Sequence, residues 1–596
     1  MFTTGSRFMP RWQFLRAHHL YKRLARWKRR CKTGLIATYH QIRLKIACLR
    51  AQVQRRIPMV QYTAGRLAYD QNQADLAEVY FKRALQIWPD CGMFHLALGD
   101  AFKQQSRWQE ASSAYHRAIA TESPGDISLG WAYHNLGEVE ARQQHWDLAI
   151  AAYEIAAERQ PNFFYTQYNL SQAYIQAGQF EGAQVALERA IALHPNDSQL
   201  LIELAQVCAQ AENLKAQQDA LERAIALDPN TFSSYFDLAG VLRNLDQLEH
   251  AAEIYLHSLD LDPNFTWWYH YYFWMCLKDT GRLDDAISIF QRHIQSYPEC
   301  SAPYINFGEA LVHSGRIPES ITPYREGLRQ KIIHSNPDFP IDTWDEQNVF
   351  GPNFLILGAQ KAGTSSLFKY ATQHPQIIPP LRKELEFWSL RMQRGLDWYL
   401  SQFPAIPPGD TTYLSGEACP GYLDHDGSAE RVRANFPDIK LVVILRNPVE
   451  RAYSHYNHWR RRQQETHDFE TAIHAKLDRL TSGSNSIIDE KQLWNSPHDY
   501  LARGIYVVFL KHWMSIFPRD RFLVLSNDQL NNDPQATLSQ LFDFLGLPDS
   551  AIQADQRHNV GTYSPLSPSL RHRLEEFYAP YNQELEAFLG QTFSWS

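Results

Sequence analysis

Residues 1–56 contain no aspartate or glutamate, yet they carry 15 lysines and arginines; the first carboxylate of the chain is Asp70. The 596-residue chain is acidic overall, with a formal net charge of −7, so this basic arm is a local asymmetry. The arm lacks the continuous apolar core of a secretory signal, and its few serines argue against an organelle transit peptide. Residues 1–57 are therefore read first as a basic helical arm, either solvated or capping the residues after it. The second reading is a peripheral contact with an anionic membrane; the third is binding of nucleic acid or a polyanionic glycan.

Cysteine is scarce and odd in number, seven in all, with no C-x-x-C spacing. That argues against a zinc site or a disulfide framework and for a reducing compartment. A cytoplasmic protein is expected, with any membrane contact peripheral. No stretch reaches the roughly 18 apolar residues that would span a bilayer. The pair spacing H-E-x-x-H is also absent, and no metal is expected.

What is present is repetition. Pro89, Pro124, Pro161, Pro195, Pro229, Pro263 and Pro298 recur at intervals of 34 to 37 residues. A helical pattern such as "AQVALERAIALHP" precedes most of them, with a second helix, such as "YNLSQAYIQAGQF", before that. Small residues such as Ala173 and Gly178 are expected to let paired helices approach, and each proline to end its helix. The pattern resembles the tetratricopeptide repeat, which implies about eight stacked units over residues 58–332 and a concave surface for a protein partner. The aromatic stretch "WWYHYYFW", Trp267–Trp274, is expected to pack between repeats.

Residues 333–349 read as a linker, and the composition then changes. Short β-rich runs, "NFLILG", "KLVVILR" and "RFLVLS", alternate with helical stretches. That alternation predicts an α/β domain with a parallel sheet over residues 350–596. The first run opens "LILGAQKAGTSSL", Leu355–Leu367: a strand, a Gly-bounded turn, then a helix. The unpaired N–H groups of that helix start, with Lys361, Thr364, Ser365 and Ser366, make an anion site. The lysine precedes the second glycine, the reverse of the triphosphate-binding G-x-x-x-x-G-K-[ST] order. A second element, "KLVVILRNPVERAYSHY", places Arg446 at the end of a strand and Ser454 early on the next helix, a fork and a hydroxyl suited to a separate phosphate.

Together these two elements resemble the sulfotransferases that use 3′-phosphoadenosine 5′-phosphosulfate (PAPS). "RKELEFWS", "RGLDWYLSQFP" and the stretch from "YLARGIYVVFLKHW" to "FLGLP" are similar to the heparan-sulfate-type members. The resemblance implies a P-loop-like α/β sulfotransferase domain with PAPS as co-substrate and no metal. Lys361 would neutralise the leaving oxygen, and backbone N–H groups from Ala362 through Gly363 to Ser365 would hold the 5′-phosphate. Arg446 and Ser454 would hold the 3′-phosphate, with Tyr506, beside Arg503 and Gly504, close to it. Gly561 and Thr562 would close the cofactor site, though the basic K-G-R found in the family is missing from "HNVGTYSP". Glu384 would be the general base, desolvated by Leu385 and Phe387, with Glu386 as an assistant.

The acceptor implied is a hydroxyl or amine of a carbohydrate, with the repeats binding substrate or a partner. Glu417, in "SGEACPGYL", would repel a polyanionic glycan, which favours a second reading as a protein-tyrosine sulfotransferase using the repeats as a peptide groove. A third reading is an inactive repeat scaffold. No nucleic-acid partner is expected.

Overall fold

The structure is a computed structural model that describes residues 43–51, 57–121, 127–341, 344, 351–406, 413–462, 464–481, 493–494, 499–553 and 566–595. The basic arm lies largely outside the described residues. The chain divides into two compact units, Met1–Gln247 and Leu248–Ser596.

The first unit is a series of helix–turn–helix pairs, running from Pro58–Tyr69 and Ala74–Ile87 to Phe232–Asn244. Each within-pair turn holds one residue in the left-handed region: Asn72, Ser106, Gln144, Gly178, Glu212 and Asp246, spaced at the repeat period. Gly178 therefore serves the turn. Nothing lies within 4 Å of where its Cβ would be, so it plays no part in helix approach. Close approach falls instead to Gly65, Gly99 and Gly137, where a Cβ would meet the rings of Phe81, Tyr115 and Tyr153 at 2.5–2.7 Å. Ala173 is buried in its helix as expected.

The second unit begins with further helical pairs and ends in a sheet. The aromatic stretch divides here. Trp267, Phe273 and Trp274 are buried, whereas Tyr269, Tyr271 and Tyr272 are 72%, 62% and 55% exposed. Trp267 and Tyr269 bound a short 3-10 turn, followed by α1 (Tyr271–Asp279), and later by α2 (Ser301–His313) and α3 (Ile317–Ser335). Gly308 on α2 lets the ring of Tyr324 on α3 sit where a Cβ would come within 2.8 Å.

Four parallel strands follow: β1 (Phe354–Gly358), β2 (Gly416–Ala418), β3 (Lys440–Leu445) and β4 (Phe522–Ser526). Their order is β2-β1-β3-β4. β1, β3 and β4 coincide with the three runs read from sequence; β2 was not anticipated. β1 is buried at every position and β3 at all but Lys440, as expected for apolar strands covered on both faces. The two central strands deliver their carboxyl ends side by side, the usual place for a ligand in such sheets. Ile305, Tyr324, Leu328, Ile332 and Phe339 from the helical part belong to the same apolar core as β1, β3 and β4. Residues 333–341 thus run along this core, with Phe339 only 5% exposed.

Candidate active site

The loop after β1 is held from several sides. Gly363 has φ +101, and a Cβ there would fall 2.6 Å from Asn527 Nδ2. That amide donates to the carbonyl of Ala362 at 2.8 Å, so only glycine suits the position. Gln360 receives Arg503, whose Nη2 donates to Asp424 at 2.8 Å. Lys361 itself adopts φ +67, a left-handed conformation that costs a non-glycine residue roughly 1–2 kcal/mol. The contact of Arg446 with its carbonyl helps to hold the backbone there.

The loop leads into α4 (Thr364–Ala371). Its first-turn N–H groups, at Thr364, Ser365 and Ser366, are the donors a helix start leaves unpaired. Gly363 precedes them as the cap residue. The N–H of Ala362 differs from expectation: it closes a turn onto the carbonyl of Ala359 at 3.1 Å.

β3 ends at Leu445, and Arg446 follows. Its Nη1 donates to the carbonyl of Lys361 at 3.2 Å, which joins the two sequence elements. Asn447 caps α5 (Pro448–Arg461), accepting from the N–H of Val449 at 2.9 Å. Ser454 is buried on this helix. Tyr506 donates its hydroxyl to the carbonyl of Arg446 at 2.8 Å, and burial pushes its phenol up to about 12. Its contact is thus with the Arg446 main chain. Gly561 and Thr562 lie outside the described residues.

Positive charge concentrates at this point. Burial, then Arg461, Arg446 and Arg462, push the Lys361 ammonium down to about 8, while Glu384 acts on it in the opposite sense. His458 is pushed down to about 4, first by burial and then by Lys361, Arg462 and Arg461. Lys361, Arg446, His458, Arg461, Arg462 and Glu384 therefore share one region. Arg461, Arg462 and His458 escaped the sequence reading. The available signal was helical spacing, since His458 lies one turn after Ser454 and Arg461 and Arg462 close that helix. Cations that depress one another's proton affinity in this way form a site that an anion would relieve. The chemistry of the donor set suits a ligand with two separate phosphates.

Glu384 is half-exposed, its side chain 45% accessible, and it pairs with Lys383. Leu385 and Phe387 turn into the core and do not enclose it. Glu386 is occupied by Arg391 at 3.0 Å. Glu417 overturns its expected role. It sits on β2, fully buried, and accepts from the Leu385 N–H at 2.7 Å, from Tyr422 at 2.8 Å and from Tyr399 at 2.9 Å. Burial pushes its carboxyl up to about 7, against the lowering effect of those three donors. Instead of facing an acceptor, it anchors the backbone beside Glu384. Among the described residues no group of three or more histidine, cysteine or acidic side chains could hold a metal ion. Nor is any described helix long and apolar enough to cross a membrane.

Residues 351–560 match the family described as the sulfotransferase domain. Residues 62–127, 140–201, 174–242 and 232–265 match tetratricopeptide-repeat families. Among curated proteins, the chain is 23% identical over 312 residues to the membrane-associated sulfotransferase kil1 of Dictyostelium discoideum, covering 41% of this chain and 66% of that protein. It is 28% identical over 283 residues to human heparan sulfate glucosamine 3-O-sulfotransferase 6, covering 44% of this chain and 78% of the relative. Among solved structures, a sulfotransferase from Alicyclobacillus acidocaldarius is 30% identical, with a TM-score of 0.35 and coverage of 41% of this chain and 97% of that one.

Proposed function

Because this chain carries a sulfotransferase domain behind an array of tetratricopeptide repeats, we propose that it moves the sulfuryl group of PAPS to a hydroxyl or amine of a carbohydrate acceptor. The observation that carries this reading is the joining of the Lys361 and Arg446 elements at the carboxyl ends of β1 and β3, with Lys383, the neighbour of Glu384, accepting from the Ala418 N–H at the end of β2. PAPS supplies an activated sulfate whose leaving group gathers negative charge on a phosphate oxygen. The chain's residues meet that demand in turn. Gly363, Thr364, Ser365 and Ser366 hold the 5′-phosphate through backbone and hydroxyl donors. Arg446 and Ser454 hold the 3′-phosphate, with Arg461 and Arg462 adding charge. Glu384 accepts the proton of the acceptor hydroxyl as its oxygen bonds to sulfur. Lys361 neutralises the oxygen from which the sulfur departs.

A tyrosine acceptor drew on two sequence arguments, the peptide-binding habit of repeat arrays and the charge of Glu417. That carboxylate is buried, so the second argument lapses and a carbohydrate is preferred. An inactive scaffold would leave Lys361, Glu384, Arg446 and Ser454 without use. The test is transfer of label from sulfur-labelled PAPS by the purified chain, with desulfated heparan sulfate and tyrosine peptides as competing acceptors. Label on saccharide supports the reading; label on tyrosine alone replaces it. The basic arm is read, by analogy with the membrane association named for the Dictyostelium relative, as a peripheral contact with anionic lipid. Flotation with and without anionic vesicles tests it.

Lys361 also sets a pH dependence. With its ammonium at about 8, the free site loses this proton as pH rises past 8, and an anion must then draw one back to bind. Affinity for the product nucleotide PAP should be flat below pH 8 and fall above it, levelling off within a total loss of about tenfold once the lysine is neutral. Calorimetric titration from pH 6.5 to 9.5 measures this. A profile that stays flat in the wild-type chain, or a slope that survives Lys361→Met, would remove the lysine from the phosphate site.

A further inference from the structure

Glu384 lies on an irregular segment, yet that segment is fastened to the sheet on both sides of it. The carbonyl of Lys383 accepts from the Ala418 N–H, at the end of β2, at 3.1 Å. The N–H of Leu385 donates to Glu417 Oε1 at 2.7 Å. Glu386 turns left-handed, with φ +55, and the N–H of Phe387 then donates to the Tyr422 hydroxyl at 2.9 Å. Tyr422 in turn donates to the same Glu417 oxygen at 2.8 Å, and Tyr399 donates to the other at 2.9 Å. Glu417, Tyr399 and Tyr422 are all fully buried.

The far side of this clamp reaches the lysine loop. The N–H groups of Cys419 and Leu423, either side of Tyr422, donate to the carbonyls of Ile356 and Leu357 on β1, both at 3.1 Å. β1 ends at Gly358 and runs straight into the loop that carries Lys361. Glu384 and Lys361 are thus referred to one strand. Burying a carboxylate is costly, and uncharged donors offset only part of that cost. What Glu417 supplies in return is a fixed acceptor for the Leu385 N–H. Sulfuryl transfer needs base and leaving-group cation at a set separation, and an error of about 1 Å costs up to about 10²-fold. Resting on the sulfotransferase reading above, we propose that Glu417 and Tyr422 are positioning residues of the transfer reaction: they fix Glu384 at the separation from Lys361 that in-line transfer requires, and take no part in binding either substrate.

The full chain is tested with Glu417→Met, Glu417→Gln and Tyr422→Phe, each alone and combined with Glu384→Gln. Transfer from labelled PAPS to desulfated heparan sulfate gives kcat and KM, at a temperature where melting curves show the variants folded. Glu417→Met and Tyr422→Phe are expected to lower kcat at least about thirtyfold, with KM for the saccharide and Kd for PAP within about threefold of wild type. Glu417→Gln keeps an oxygen for the Leu385 N–H and should recover most of kcat. On the Glu384→Gln background none of these substitutions should lower the residual rate further, because the group they place is already gone; a merely structural role would lower it by the same factor. Wild-type kcat in Glu417→Met and Tyr422→Phe overturns the proposal while leaving the transferase reading intact. So does a loss that persists in full on the Glu384→Gln background, or a Glu417→Gln variant as slow as Glu417→Met. If Glu417→Met does not fold, Tyr422→Phe, which removes a single oxygen, decides alone. A wild-type chain that transfers no label, or a Glu384→Gln variant at full rate, overturns the reading of the site and the proposal together.

Discussion

Replacing Lys361 with alanine is expected to cut turnover by about 10²–10³-fold while weakening PAP by less than about tenfold. The difference follows from where the charge is needed. In the ground state the phosphates already meet Arg446, Arg461 and Arg462, and removing Lys361 relieves the repulsion that lowers its own proton affinity. That relief offsets part of the lost attraction to PAP. In the transition state, charge gathers on the bridging oxygen, and Lys361 on the loop between β1 and α4 is the cation expected to meet it there. Lys361→Arg should not restore the rate, since a planar guanidinium does not replace a compact ammonium on a left-handed residue. Single-turnover transfer from labelled PAPS, set beside calorimetric PAP binding, separates the two effects. Turnover within threefold of wild type would strip Lys361 of its catalytic role.

The sequence shows this lysine plainly because strand, turn and helix are contiguous there. The same holds for Arg446, whose strand and helix cap adjoin it. Legibility fails where a side chain's surroundings come from distant segments. Glu417 reads as an acceptor-site charge because Tyr399 and Tyr422, whose hydroxyls donate to it, belong to no local pattern. β2 is missed for a related reason: three residues, Gly416–Ala418, carry no alternation, and only pairing with β1 makes them a strand. Arg461 and Arg462 look like an ordinary solvated helix end until their effect on Lys361 is known. The aromatic stretch is legible as packing for Trp267, Phe273 and Trp274. Only the fold shows that Tyr269, Tyr271 and Tyr272 stay outside.

Removing either member of the Glu309–Arg382 pair is expected to destabilise the second unit by about 3–5 kcal/mol. The two side chains are 2% and 4% accessible and form a salt bridge. Arg382 also lies over Trp268 and places Nη2 3.5 Å from the Tyr324 hydroxyl, which itself donates to Glu309. Lys331 on α3 adds a bond to the carbonyl of Leu381 at 3.1 Å. α2 and α3 thereby grip the segment that runs on to Glu384. Glu309→Ala strands a buried guanidinium and Arg382→Ala strands a buried carboxylate, and neither can reach water without opening the core. A shift of this size corresponds to a fall in melting temperature of roughly 4–7 °C for a unit of this length. Glu309→Met with Arg382→Met removes both charges at similar volume and should recover most of the loss, since a buried ion pair adds little beyond its apolar equivalent. Calorimetry on the full chain follows the transition of this unit. Single variants that melt within 2 °C of wild type would mean that the pair is solvated and that the helices do not brace the catalytic segment. If the double variant recovers stability but not kcat, the charge itself positions Glu384; if it recovers both, packing alone suffices.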